Sequence, residues 1–285
     1  MLDHPHMSVE PLDAAVGARV TGLDLSQPLD ADTAEAVNEA LGIHGILVFP
    51  DQHLTPEQQV DFSRIFGPVE INHNAARYGL GGSPELYVIS NVTVDGKPVG
   101  SARAGEEWHS DMCYARNPAL ATMLYAREVP VLHGLTLGDT GFANTAAAFD
   151  ALPDEMKTFL RGKRAVFDFQ GRKRPVKPSA EAIAQYPPVD HPIVRRHPRT
   201  GRESLYVNHD DCTGIVGMDD HAARNLISAL SEHVVRPEFV YRHRWQKDQL
   251  VVWDNCTVQH KAILDYDQPQ RRLLWRTTIR GPVPV

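Results

Sequence analysis

The sequence predicts a β-rich α+β fold with helices flanking a sheet core, and three observations predict it. Residues 238–245 alternate, with Phe239, Tyr241, His243 and Trp245 on one side of an extended chain and Val240, Arg242 and Arg244 on the other. Two more strand-like runs follow, Leu250-Val-Val-Trp253 and Leu273-Leu-Trp-Arg-Thr-Thr-Ile279, separated by the turn-prone Asp254-Asn255 and Gln268-Pro269. Helical spacing is confined to short capped segments, and no repeat or low-complexity tract interrupts the chain, so residues 1–285 are expected to form a single domain.

The elements follow in order. Asp30 to His44 carries Ala34, Val37 and Leu41 at helical spacing, with acidic residues in its first turn where the helix dipole favours them, and predicts a surface helix. Gly45-Ile-Leu-Val-Phe-Pro50 is a short apolar run closed by proline, suited to a buried strand. Thr55-Pro56-Glu57-Gln58 combines an N-cap, a proline at the first helical position and a capping-box glutamine, and the helix it starts is stopped by Gly67-Pro68. Asp219 or Asp220 caps a helix whose apolar face is Leu226, Ile227, Leu230 and Val234, ended by Pro237. The stretch 162–192 mixes Arg and Lys with several prolines and keeps no period, and is expected to be a loop or lid insert.

Composition narrows the function. The net charge of 29 − 36 = −7 gives no general reason to expect a nucleic-acid partner. The hydrophobic fraction of 42% is ordinary, and no apolar run reaches the roughly 18 residues that would suggest a membrane span. The N-terminal Met1-Leu-Asp-His-Pro-His has neither the basic nor the apolar region of a secretory signal, so a cytoplasmic location is expected. Cys113, Cys212 and Cys256 are too few and too widely spaced for a disulfide framework or a zinc knuckle and read as buried thiols. Fourteen histidines in 285 residues favour metal or acid/base chemistry without locating it.

Spacing locates it. In Glu107-Trp-His-Ser-Asp111, residues i and i+2 of an extended chain face one way, so His109 and Asp111 can present a nitrogen and a carboxylate oxygen to one ion. The bland alternative is a hydrogen-bonded pair, and a second His-Asp pair stands at His209-Asp210-Asp211. His260, after the polar turn that ends Val252-Trp-Asp-Asn255, is a candidate third ligand. Two histidines and a carboxylate leave about three positions open on Fe(II), enough for a bidentate cosubstrate and dioxygen, whereas a closed zinc site needs a fourth ligand. On a strand, Arg272 and Arg276 would share a face about 13 Å apart, far enough to serve two different anions. The alternative is a solvated basic face paired with Asp265 and Asp267.

Trp108-His109-Ser110-Asp111, then Gly138-Asp-Thr140-Gly-Phe-Ala-Asn144 with Ala148-Phe-Asp-Ala-Leu152, then Trp253-Asp254-Asn255 to His260 and the Arg271-Arg272 to Arg276 tail resemble the family of taurine and 2,4-dichlorophenoxyacetate dioxygenases. The resemblance runs from Gly17-Ala-Arg-Val-Thr-Gly-Leu-Asp24 to Arg280. It implies a double-stranded β-helix, or jelly roll, that holds Fe(II) through His109, Asp111 and His260, binds 2-oxoglutarate, and uses dioxygen to hydroxylate a small anionic organic substrate with release of succinate and CO2. Arg272 with the Thr140 hydroxyl would bind the distal carboxylate of 2-oxoglutarate, with Thr136 competing for that place, and Arg276 would face the substrate's anionic group. Met112, Tyr114 and His73 would line the substrate pocket, their alternative being ordinary packing or an exposed loop. One extra residue between His260 and Arg272, near Asp267-Gln268, departs from the pattern. The expected substrate is an aryloxy-carboxylate, sulfonate or sulfate ester, and assembly as a homodimer or homotetramer is expected. The rival readings are a Zn(II) hydrolase using the same ligands and a non-catalytic 2-oxoglutarate or anion sensor.

Overall fold

A computed structural model of the protein describes residues 5–71, 75–80, 82–171 and 179–285. Eight strands form one sheet in the order Ser8–Pro11, Ala18–Thr21, Ile46–Phe49, Leu250–Asp254, Ala119–Glu128, Leu273–Arg280, Ser83–Ser90, Gly79–Leu80. Its pairings are antiparallel except that between Ala18–Thr21 and Ile46–Phe49. A second sheet of three antiparallel strands sets Thr140–Asn144 between Val240–His243 and Val258–Ala262.

Both faces of the large sheet are covered, which explains why its strands read as unbroken apolar runs. Leu47, Phe49, Met123, Tyr125, Leu250 and Val252 pack toward the helix side with Val37, Leu41 and Phe62. The alternate residues Ile46, Val48, Leu124, Ala126, Val251 and Trp253 form a second core with Phe142 and Val258 of the small sheet. That inner core separates the two sheets and floors the candidate site. A third core lies under the helix Asp220–Val234 and includes Phe149, Leu160, Phe167, Ile227 and Leu230.

The helix boundaries follow their caps. Asp30 accepts from Thr33 N–H at 2.8 Å to start Ala31–His44, and Gly45, at φ 70°, ends it in the left-handed region that a side chain would strain. The capping box of Thr55 and Gln58 starts Pro56–Ser63, and Asp219 caps Asp220–Val234. Cys113, Cys212 and Cys256 are buried thiols. Among the described residues, no helix is long and apolar enough to cross a membrane.

Two expectations change. The strand predicted over 238–245 is shorter: Pro237–Phe239 forms a 3-10 turn, the strand is Val240–His243, and Phe239 turns into the core under the Asp220–Val234 helix. Pro237, which has no N–H and a fixed φ, favours the start of a helical turn over a strand. The stretch 162–192, expected as a loop or lid insert, holds the strands Arg164–Phe167 and Val189–Pro192 and the helix Ala180–Gln185 in its described part. Arg164–Phe167 pairs with both Val189–Pro192 and Cys212–Ile215. The partner Cys212–Ile215 is remote in sequence, so no local period announces the sheet.

Burial pushes His191 and His243 from the usual 6.5 down to about 4. Between pH 6.5 and 4 the unfolded chain therefore binds more protons at these sites, so their linkage makes stability fall as pH falls through that window, by up to about 3 kcal/mol per histidine. Urea unfolding at pH 7 and pH 5 is expected to show this loss, and His191→Gln or His243→Gln to reduce the difference between the two. An unchanged difference in both variants would remove these histidines as its source.

Candidate active site

His109 and His260 are mutual partners in an antiparallel bridge: His109 N–H donates to the His260 carbonyl at 3.1 Å and His260 N–H to the His109 carbonyl at 2.9 Å. This backbone pair brings together two histidines far apart in the chain, with ring centroids 4.2 Å apart. Asp111 completes the group. Its Oδ1 lies 3.7 Å from His109 Nε2 and its Oδ2 3.7 Å from His260 Nε2, and ligand atoms of all three residues fall within 4.8 Å of one another. The Glu107 carbonyl, 2.7 Å from His109 Nδ1, can only accept, so Nδ1 carries the proton and the lone pair suited to a metal is on Nε2.

Asp111 is buried, and its surroundings keep it ionised. Its N–H donates to Asn255 Oδ1 at 3.1 Å. Asn255 Nδ2 donates to Thr122 Oγ1 at 3.0 Å, and that hydroxyl donates to Asp111 Oδ2 at 2.7 Å. Arg276 Nη2 reaches Asp111 Oδ1 at 3.0 Å, while its Nε donates to Thr278 Oγ1 at 3.2 Å. Burial opposes ionisation of Asp111, but Arg276, the two histidines and the Thr122 hydrogen bond outweigh it and hold the carboxyl well below the usual carboxylate range. An ionised carboxylate, a histidine of fixed tautomer and a second inward histidine fit a divalent metal bound on one face, with the opposite face open to the pocket.

That pocket encloses about 420 Å³ of non-atom space, mouth included. His109, His260, Thr140, Arg272 and Arg276 line it together with Ile89, Ala104, Gly105, Leu124, Trp253 and Ala262. Arg272 is buried on the strand Leu273–Arg280's approach, its N–H donating to Asn91 Oδ1 at 2.9 Å. Burial lowers its pKa, opposed by Tyr266, whose phenol is hydrogen-bonded to the guanidinium, and by Asp265 and Asp139. Gly138, at φ 72°, permits this arrangement: a Cβ there would sit 2.8 Å from Arg272 Nε and 3.0 Å from the Tyr266 ring. The turn is pinned by Gly138 N–H donating to Asp265 Oδ1 at 2.7 Å, and Arg242 ties Asp265 to Asp139.

Of the two threonines, Thr140 lines the pocket, whereas Thr136 lies in the hairpin of Val131–Leu132 with Leu135–Thr136, outside it. Met112 and Tyr114, expected on the pocket wall, lie outside the pocket that holds the His-Asp-His group. Met112 has φ 53°, which turns the chain immediately after Asp111, and both residues pack with Phe169, Ala182 and Tyr186. His73 lies outside the described residues. Arg271 pairs with Glu128 and Arg242 with Asp265, so the solvated-face alternative applies to those arginines and not to Arg272 or Arg276.

The His209-Asp210 pair is a 3.2 Å surface contact with His209 largely exposed. A second buried cluster, His197, Asp254 and Cys256, was not apparent in the sequence. His197 Nδ1 accepts from Arg199 N–H and Thr200 N–H, so Nε2 carries the proton and meets Asp254 Oδ2 at 3.2 Å. Asp254 also accepts from Cys256 N–H and the Thr257 hydroxyl. These bonds account for the cluster as a brace under the Asp254-Asn255 turn, which aims Asn255 at Asp111. Asn255 and Thr122 were missed as supports because nothing local marks a side-chain amide or hydroxyl as the neighbour of a carboxylate distant in sequence.

The profile of the family described as taurine catabolism dioxygenase TauD, TfdA family matches residues 8–278. The alpha-ketoglutarate-dependent 2,4-dichlorophenoxyacetate dioxygenase of Cupriavidus pinatubonensis is 34% identical over 283 residues, covering 94% of this chain and 96% of that protein. The alpha-ketoglutarate-dependent sulfate ester dioxygenase of Pseudomonas putida is 30% identical, covering 99% of this chain and 93% of that protein. The crystal structure of AAD-2 in complex with Mn(II) and N-oxalylglycine superposes with a TM-score of 0.83 at 33% identity, covering 98% of each chain. With a match over nearly its whole length and a His109-Asp111-His260 group whose two histidines line the pocket, this chain belongs to the TauD, TfdA family of dioxygenases.

Proposed function

We propose that the protein is an Fe(II)- and 2-oxoglutarate-dependent dioxygenase that hydroxylates a small anionic organic substrate, and that its two facing sheets are the halves of a double-stranded β-helix. The observation that carries the reading is one pocket holding the two histidines, Thr140, Arg272 and Arg276 against an apolar wall. His109, Asp111 and His260 would hold the metal. When bound, ferrous iron supplies the coupling of dioxygen reduction to decarboxylation of 2-oxoglutarate, giving succinate, CO2 and a hydroxylated substrate carbon.

The protein's own groups bind and orient. Arg272 offers a planar fork of donors to the distal carboxylate of 2-oxoglutarate, and its burial strengthens that contact by excluding water. The Thr140 hydroxyl lines the same pocket. Arg276 lies beside Asp111 with Nε and Nη2 engaged, and as a pocket-lining residue it would use Nη1 for a substrate anion. Ile89, Leu124 and Trp253 supply apolar surface for the substrate's carbon skeleton and keep bulk water from the reacting carbon.

An aryloxy-carboxylate, a sulfonate or a sulfate ester fits these demands, and the substrates named for the two relatives, 2,4-dichlorophenoxyacetate and a sulfate ester, support the range. Hydroxylation beside the heteroatom of such a compound gives a product that fragments. A zinc hydrolase using the same ligands would leave Thr140 and Arg272 without a task, and both relatives are named as dioxygenases. A sensor without turnover would bind 2-oxoglutarate and form no substrate-dependent succinate.

Succinate release from the Fe(II)-loaded protein, screened over aryloxy acids, sulfonates and sulfate esters, is expected to rise with at least one of them. No stimulation by any of the three, with 2-oxoglutarate bound, would favour the sensor. His109→Ala and Asp111→Ala are each expected to lower turnover by at least about 10³-fold and to weaken Mn(II) binding measured by calorimetry, and full turnover in both would remove the ligand assignment. Arg272→Ala is expected to raise the KM for 2-oxoglutarate about 100-fold while changing that for substrate little, consistent with loss of a charge-assisted pair. The reverse pattern would exchange the roles of Arg272 and Arg276.

A further inference from the structure

Trp245 stands behind Thr140. Its side chain is 1% exposed, and its indole Nε1–H donates to Thr140 Oγ1 at 3.0 Å. An indole nitrogen is a donor only, so the hydroxyl can only accept in this contact. A hydroxyl has one hydrogen, which cannot point along the direction that Trp245 occupies. Among the described residues no protein acceptor takes that hydrogen, and the Thr140 side chain lines the pocket with Arg272.

The indole is held in place by a second layer. His243 packs edge-on against it, with ring centroids 4.7 Å apart. His243 Nε2 lies 2.9 Å from Gln249 Oε1, which also accepts from Gln246 N–H and is therefore the carbonyl end of the amide. Nε2 then carries the imidazole proton, and Nδ1 accepts from the Tyr241 hydroxyl at 2.9 Å. Burial pushes His243 down to about 4, so the ring behind the indole is neutral at ordinary pH and offers no charge to compete with Arg272 for an anion.

We infer that Trp245 is a positioning residue for the cosubstrate: its donor-only N–H fixes the Thr140 hydroxyl as a donor into the pocket, so that the pocket's inner end prefers a 2-oxo acid bearing a second, distal carboxylate. The inference rests on the reading of Thr140 and Arg272 given under the proposed function. Without the indole N–H the hydroxyl hydrogen has other orientations available, so its direction is no longer fixed before the carboxylate arrives.

The test is calorimetric and needs no turnover. The Mn(II)-loaded protein is titrated with 2-oxoglutarate and with 2-oxopentanoate, which has the same carbon chain and no distal carboxylate. Trp245→Phe is expected to weaken 2-oxoglutarate about tenfold and 2-oxopentanoate less than about twofold, the size expected for one hydrogen bond to a charged group. Thr140→Val is expected to do the same, and the double variant to be no weaker than Thr140→Val by more than about twofold, because the two residues act through one hydroxyl. Equal weakening of both acids by Trp245→Phe, or of neither, would overturn the inference. If Thr140→Val removes the preference and Trp245→Phe does not, the inference fails alone; if Thr140→Val keeps it, the reading of Thr140 fails as well. Should Trp245→Phe not fold, 3-benzothienylalanine at position 245 replaces the N–H by sulfur at nearly constant ring shape, and the same pair of titrations decides.

Discussion

Asp111 is 3% exposed, and a carboxylate taken out of water without compensation is destabilised by several kcal/mol. The chain meets this constraint from four directions: the Asn255 amide orients the backbone, Thr122 donates a hydroxyl, Arg276 brings a full charge, and His109 and His260 face the two oxygens. Each of those residues is on a different element, so much of the local architecture exists in the form that keeps one carboxylate ionised. The Thr122 hydroxyl shows how closely the directions are set. It accepts from Asn255 and donates to Asp111, which uses its single hydrogen where the negative charge lies.

The two ends of the pocket differ in the same physical terms. Arg272 is buried, backed by Tyr266, and fitted under Gly138, so its guanidinium has little freedom. Arg276 is partly exposed and shared with Asp111 and Thr278, so its charge is available beside the His-Asp-His group but is already balanced in part. A rigid cationic end suits one invariant dianion, and a shared one suits a monoanion whose skeleton varies. The apolar stretch between them comes from the inward residues of strands whose outward residues pack against helices, so the pocket wall and the helix-side core are alternate positions of the same strands.

Much of this was legible in the sequence. The cap at Thr55 is a local signal and appears there, and of Asp219 and Asp220, both offered by the sequence, Asp219 is the cap. The spacing of His109 with Asp111, and the order of His260, Arg272 and Arg276 after it, were enough to nominate residues that prove to lie together. What escaped depends on partners distant in the chain. The small sheet built on Arg164–Phe167 needs Cys212–Ile215 beside it, and Asn255 meets Asp111 only because the bridge of His109 with His260 places it there. Met112 was nominated by its adjacency to Asp111, and its packing against Phe169 and Tyr186 after a left-handed backbone turn is something that adjacency does not reveal. Trp245 was read only as one member of an alternating face, and alternation says nothing about what an indole N–H will meet.

The strand Leu273–Arg280 follows every other strand in the sequence, yet it lies inside the large sheet, hydrogen-bonded on one edge to Ala119–Glu128 and on the other to Ser83–Ser90. A sheet whose last-made member sits in the middle cannot be finished by adding to an edge. During synthesis the earlier strands must wait with a gap between them, their unpaired backbone exposed, until the ribosome has released Arg280. The same strand and its approach carry Arg276 and Arg272, so a nascent chain shorter than this has neither a closed sheet nor a pocket that can retain its anions. Completion of the pocket is thus a step that comes after translation of this strand, and the interval before it is when the chain is most exposed to chaperones and proteases.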